Sequence, residues 1–207
     1  MSRYLPVIAL LAALPAASMA HAAANTDPEW PCIQRKVPEL SIGQVWTGEE
    51  LAETAGQWNR DPRVSDLAAE LVKRSNPIEN ARKQISDYAV TLPKDQMHEK
   101  LEQLFMGVFD KINIERGQII SGIARYAEKQ RQLAADLRRK AAEIDKMRTT
   151  ADADQTVLAR NNEQLTWETR VFEERVQSLT YVCEVPTLIE QRLYSLSKII
   201  GEVMQKN

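Results

Sequence analysis

Between Ile123 and Val185 the chain has neither glycine nor proline, a run of 63 residues without the two residue types that most readily interrupt a helix. Other residue types are scarce throughout its 207 residues. Seven glycines occur and none forms Gly-x-Gly, so no backbone cradle for phosphate is encoded. Histidine is limited to His21 and His98, and the two cysteines lie far apart, so no spacing fits a zinc, haem or redox motif. Gly-x-Ser-x-Gly is absent, and His98 stands in Met97-His98-Glu99-Lys100 without an evident catalytic companion. The net charge is -2 and no Lys/Arg run stands apart from acidic neighbours, which argues against a nucleic-acid surface. No apolar stretch approaches the roughly twenty residues of a membrane span. The expectation is a chain with no cofactor, no metal, no nucleic-acid partner and no membrane span.

What is present begins with an export signal. Arg3 supplies a positive start, Leu5 to Leu14 a short apolar core, and Pro15 its end. Ser18-Met19-Ala20 and Ala20-His21-Ala22 both place small residues where a signal peptidase cuts. Residues 1–22 therefore read as a signal peptide, and the mature chain, starting near Ala23, is expected in the periplasm or outside the cell. An even cysteine count in an exported chain favours a bridge, here Cys32–Cys183.

Residues 23–46 read as an extended strap. Pro28, Pro31 and Pro38 disfavour helix, yet Trp30, Ile33, Val37, Leu40, Val45 and Trp46 make the segment too apolar for a disordered tail. Residues 47–92 read as short helices of a base. Their start signals are a capping box from Thr47 to Glu50, Asp61-Pro62 and Asn76-Pro77, with Pro93 as a stop. Residues 93–207 form the long helical part. Met97, Leu101, Leu104, Phe105, Val108, Phe109 and Ile112 mark its most buried stretch, with Gly107, Gly117 and Gly122 allowing a kink or a close contact. Pro186, followed by a second capping box from Thr187 to Glu190, predicts a break before a final amphipathic helix.

Ile123, Leu137, Ile144, Ala151, Leu158, Leu165, Phe172 and Leu179 recur at multiples of seven, the pattern of a coiled coil. Charge favours an antiparallel arrangement. Glu128 to Arg148 carries seven bases against four acids, whereas Ala151 to Glu184 carries three bases against seven acids. A reversal near Ala151 lays the basic arm on the acidic one, placing Lys129 near Glu173 and Arg139 near Glu163. The predicted fold is all-α: a strap and short helices packed on a long antiparallel hairpin, as a monomer, or as an antiparallel homodimer of straight rods that satisfies the same charges.

Few residues carry chemistry. Asp152 and Asp154 lack the glycine and terminal glutamate of a calcium loop. Glu49, Glu50 and Glu53 complement a helix start, with Trp46 and Trp58 nearby as the only hint of sugar hydrolysis. Trp30, Trp46 and Trp58 are expected to bind the strap to the helices. Trp167 lies off the heptad seam. With Thr149, Thr150, Asp152 and Asp154 at the turn, it is the candidate contact with a protein partner in the envelope. The expected role is a non-enzymatic scaffold or adaptor, with a periplasmic holdase chaperone, and more remotely an envelope-polymer hydrolase, as alternatives.

Overall fold

A computed structural model describes residues 29–206 of the chain. The signal peptide lies outside the described residues. No strand occurs among them, and the chain runs through α1 (Ile42–Val45), a 3₁₀ segment (Glu53–Arg60), α2 (Pro62–Leu71), α3 (Ile78–Val90), α4 (Lys94–Arg148) and α5 (Gln155–Lys206). The 55 residues of α4 extend about 80 Å at 1.5 Å per residue. After the turn at 149–154, α5 returns along α4 for its whole length. The all-α hairpin expected from heptads and charge is the architecture observed.

The base surrounds the lower part of that hairpin. Leu101, Leu104, Phe105, Val108 and Ile112 of α4 and Ile189, Leu193, Leu196 and Ile200 of α5 are buried together with Val64, Leu71 and Ile85 of α2 and α3. The tryptophans pack as expected of a strap that docks. The Trp46 ring lies 4.3 Å from that of Phe105, centroid to centroid. Trp58 Nε1 donates to Asp110 Oδ2 at 2.7 Å. A Cβ on Gly107 would stand 3.0 Å from the Trp58 ring and 3.1 Å from the Ala68 Cβ, so glycine lets α4 lie close against both.

Three local expectations fail. Asn76 does not cap α3: Pro77 is its N-cap, and the Asn76 side chain donates instead to the Glu70 carbonyl and to Gln84 Oε1. The Thr47–Glu50 box opens no helix: residues 47–52 are a loop, and helical backbone resumes at Glu53. This loop's polar groups bond otherwise, with Trp46 Nε1 donating locally to the Glu49 carbonyl and the Ala52 N–H reaching Glu102 Oε2 of α4. A box does form earlier, inside the strap, where the Ser41 N–H donates to Gln44 Oε1 at 2.8 Å and starts α1. Nor does Pro186 divide the last helix, since α5 runs through it without interruption. The cost of one missing N–H is offset by packing on both sides, with Cys183 and Ile189 buried.

Asp61 caps α2, accepting from the Arg63 N–H at 3.0 Å, and pairs with Lys100 of α4 at 2.7 Å. The Lys100 hydrogen bond holds its carboxyl below the ordinary value of 3.8, with burial opposing. A value depressed in the fold contributes stability that is complete above the unfolded value and disappears as pH falls through the folded one. Urea midpoints are therefore expected to drop between about pH 5 and about pH 3, and Asp61→Asn is expected to flatten that slope. An unchanged slope in the variant contradicts the assignment.

Candidate functional site

Strap, arm and turn are the features from which a partner surface can be built. The strap is fixed along α4 and α5 by polar bonds. The Leu40 N–H and C=O both bond to the Asn113 side chain at 3.0 Å. Arg116, only 2% exposed, donates to Glu190 Oε1 at 2.7 Å and to the Val37 carbonyl, so one guanidinium ties α4, α5 and the strap together. Cys32 is disulfide-bonded to Cys183, and Trp30 packs there with Ile120 and Ile123. Arg116 gave no signal in the sequence, because an arginine among Glu115, Gly117 and Gln118 looks like a surface residue.

Above the disulfide the two arms form a two-stranded seam. Ile123, Ala127, Leu137 and Ile144 of α4 are buried, while Leu158, Leu165, Phe172 and Leu179 of α5 are half-buried. The anticipated pairs Lys129–Glu173 and Arg139–Glu163 are not among the ion pairs observed. Arg139 bonds Asp136 on its own helix, and the cross-arm pair is Lys140–Glu168 at 2.6 Å. The turn consumes several non-helical residues, which shifts the opposing ladder relative to a reversal centred on Ala151. Hydrogen bonds from Lys140 and Gln164 hold the Glu168 carboxyl below its ordinary value. Gln130 occupies the heptad position between Ile123 and Leu137, and its Oε1 is buried without a hydrogen-bond partner. A buried acceptor left unpaired costs free energy. Gln130→Leu is expected to stabilise the arm by about 1 kcal/mol, seen as slower amide exchange across the seam. Faster exchange in the variant contradicts this.

At the turn the candidate side chains divide by role. The Thr149 hydroxyl donates to the Lys146 carbonyl at 2.8 Å, and the Thr150 hydroxyl reaches the same carbonyl at 3.3 Å, closing α4. Asp154 Oδ1 accepts from the Thr156 and Val157 N–H groups at 2.8 and 3.2 Å, opening α5 as its N-cap. These three therefore shape the turn, and Asp152 is exposed at its apex. Trp167 is 65% exposed on α5. Tyr181 and Leu188, 74% and 55% exposed, follow it at two and three heptads along the same helix face. Trp167 stood out in the sequence, but the stripe it heads did not, because the buried seam dominated the periodicity.

Of the cavities that border the base, two bear on the residues singled out in the sequence. A groove of about 840 Å³ lies between strap and α4, with Pro38, Trp58, Ile114 and Ala124 among its apolar lining and Lys36 and Arg125 at its edge. A smaller one, about 220 Å³, brings Glu49 beside Trp46, His98 and Glu102. Glu50 is exposed in the 47–52 loop, and Glu53 is exposed at the start of the 3₁₀ segment. Glu102 is the buried carboxylate of that corner, accepting from Ala52 and standing 3.3 Å from His98 Nε2. No cluster of three or more His, Cys, Asp or Glu suited to a metal ion occurs among the described residues. None of their helices is long and apolar enough to cross a membrane. Comparison with protein-family models, curated proteins and solved structures finds no match to this chain.

Proposed function

We propose that the protein is an exported, non-enzymatic scaffold or adaptor whose hairpin arm meets another protein of the envelope. The supporting observation is Trp167, exposed on the arm, with Tyr181 and Leu188 exposed beyond Glu174 on the same face of α5 toward the base. Large aromatics held on a rigid helix bury much area at little entropic cost, and such residues anchor protein interfaces. The base and its disulfide then serve as a mount from which the arm projects, and Asp152 at the apex is a second point of contact. A Cys32–Cys183 bridge suits an oxidising, extracytoplasmic setting.

A photo-crosslinking residue placed at Trp167 or Thr150 in intact cells tests this. Both positions are expected to capture the same envelope protein, whereas Val90, exposed on the base, captures none. Replacing residues 131–177 by a short flexible link is expected to leave the base folded and to abolish capture of that protein through an affinity tag on the chain. Unaltered capture by the truncated form removes the arm from the reading. The groove between strap and α4 supports a holdase chaperone as a second reading, since its apolar lining suits extended segments of unfolded clients. That reading predicts suppression of client aggregation at stoichiometric amounts. Light scattering unchanged across several clients rejects it.

A further inference from the structure

We infer that the arm joins the base through a hinge, and that the disulfide-bonded strap is the splint that holds it straight. Glycine and proline are the residues that weaken a helix interior most. On α4 they fall at Gly107, packed against Trp58, and at Gly117 and Gly122; on α5 they fall at Pro186 and at Gly201 near the end of the helix. Gly117, Gly122 and Pro186 stand at one height. Arg116 bonds Glu190, and Cys183 packs with Ile120 and Ile123, so Pro186 faces the α4 segment between the two glycines.

Packing does not account for these glycines. A Cβ on Gly117 would meet nothing within 4 Å, one on Gly122 only the end of Arg125 at 4.0 Å, and neither has a positive φ. Gly117 leaves room in the groove between strap and α4, and both glycines give a backbone that bends more readily. At Pro186 the missing N–H leaves the Val182 carbonyl without its intrahelical donor. The apolar interior changes at the same height. The main core ends on α4 at Ile112, and a separate small cluster of Trp30, Cys32, Ile120, Ile123 and Cys183 begins, with Ile119 touching both.

The strap crosses this level. Below it, the strap is fixed by Leu40 on Asn113 and by Val37 on Arg116. At its upper edge, level with Gly122, the strap is fixed by the Cys32–Cys183 bond and by Trp30 in the cluster with Ile123. A tie anchored at both edges of a flexible belt resists bending there, and its only covalent anchor is the disulfide. With the bridge intact the arm keeps one direction. Without it, the upper end of the strap loses its covalent anchor and the arm swings about the belt.

The test needs no partner. Spin labels are introduced as unnatural amino acids at Val90 and Ala142 of the full chain, and the distance distribution is measured by pulsed electron resonance. The native chain is expected to give one narrow distribution. Cys32→Ala with Cys183→Ala is expected to broaden it about twofold, while core amides near Leu104 stay protected from exchange. Adding Gly117→Ala, Gly122→Ala and Pro186→Ala to that double variant is expected to restore the narrow distribution. An unchanged width without the disulfide, or a broad one after stiffening, overturns the proposal. Should the cysteine variant lose its core protection, the three stiffening substitutions are made in the disulfide-bonded chain. Amide exchange at residues 118–126 and 183–190 is then expected to slow about tenfold, and unchanged exchange there overturns the hinge.

Discussion

Removing the disulfide, by Cys32→Ala with Cys183→Ala, is expected to be the most destabilising change available to this chain. The bridge closes a loop with a sequence separation of 151 residues. On the chain-entropy account, releasing a loop of that size costs about 4–5 kcal/mol, and loss of the Trp30 cluster's covalent anchor adds to it. For a chain of this size, that corresponds to a fall in Tm of roughly 10–15 °C. Calorimetry of the oxidised chain and the double alanine variant measures it. A drop within about 2 °C shows that the strap is held by Arg116, Asn113 and its apolar contacts, and that the bond is a bystander. A variant that loses stability but keeps the arm straight separates the stabilising role from the splint.

The second large effect is expected at Phe105. This side chain is wholly buried in the base and stacks against Trp46 on one side and Phe109, 6.0 Å away, on the other. Phe105→Ala removes a ring from a site where Leu101, Leu104 and Leu196 are also completely buried and have little room to collapse. A cost of about 3–5 kcal/mol is expected, read as a shift in the urea midpoint without a change in slope. The matching change in the arm, Phe172→Ala, is expected to cost about half as much, because Phe172 is only half-buried in a two-helix seam. Equal costs at the two positions contradict the division into a packed base and a lightly covered arm.

The hairpin was legible because several independent signals agree on it. The seven-residue pattern, the charge asymmetry of the arms, and Thr149 and Asp154 at the turn all call for a reversal there, and both residues do cap the helices that meet. The docked strap was legible through its apolar residues and Cys32, which a disordered tail would not carry. Local signals failed where tertiary contacts outweigh them. Thr47–Glu50 and Ser41–Gln44 look alike as helix starts, and only the latter opens one, because Glu102, fifty residues away, takes the Ala52 N–H. At Pro186 a helix-breaking residue is overruled by buried neighbours on both sides. The register of Lys140 on Glu168 depends on how many residues the turn consumes, which no charge count reveals. The candidate site was legible in one residue, Trp167. Tyr181 and Leu188 complete the stripe only once the outward face of α5 is known.

The fold-back of a single chain on itself is tested most directly at Lys140 and Glu168, whose side chains lie 2.6 Å apart across the arms. A carbodiimide joins such a pair as a zero-length amide, and an equal mixture of unlabelled and nitrogen-15 protein, refolded together, records whether the two ends come from one chain. The hairpin predicts Lys140–Glu168 peptides that are wholly light or wholly heavy. Peptides pairing a light lysine with a heavy glutamate in statistical proportion show rods paired between chains and contradict the fold described here.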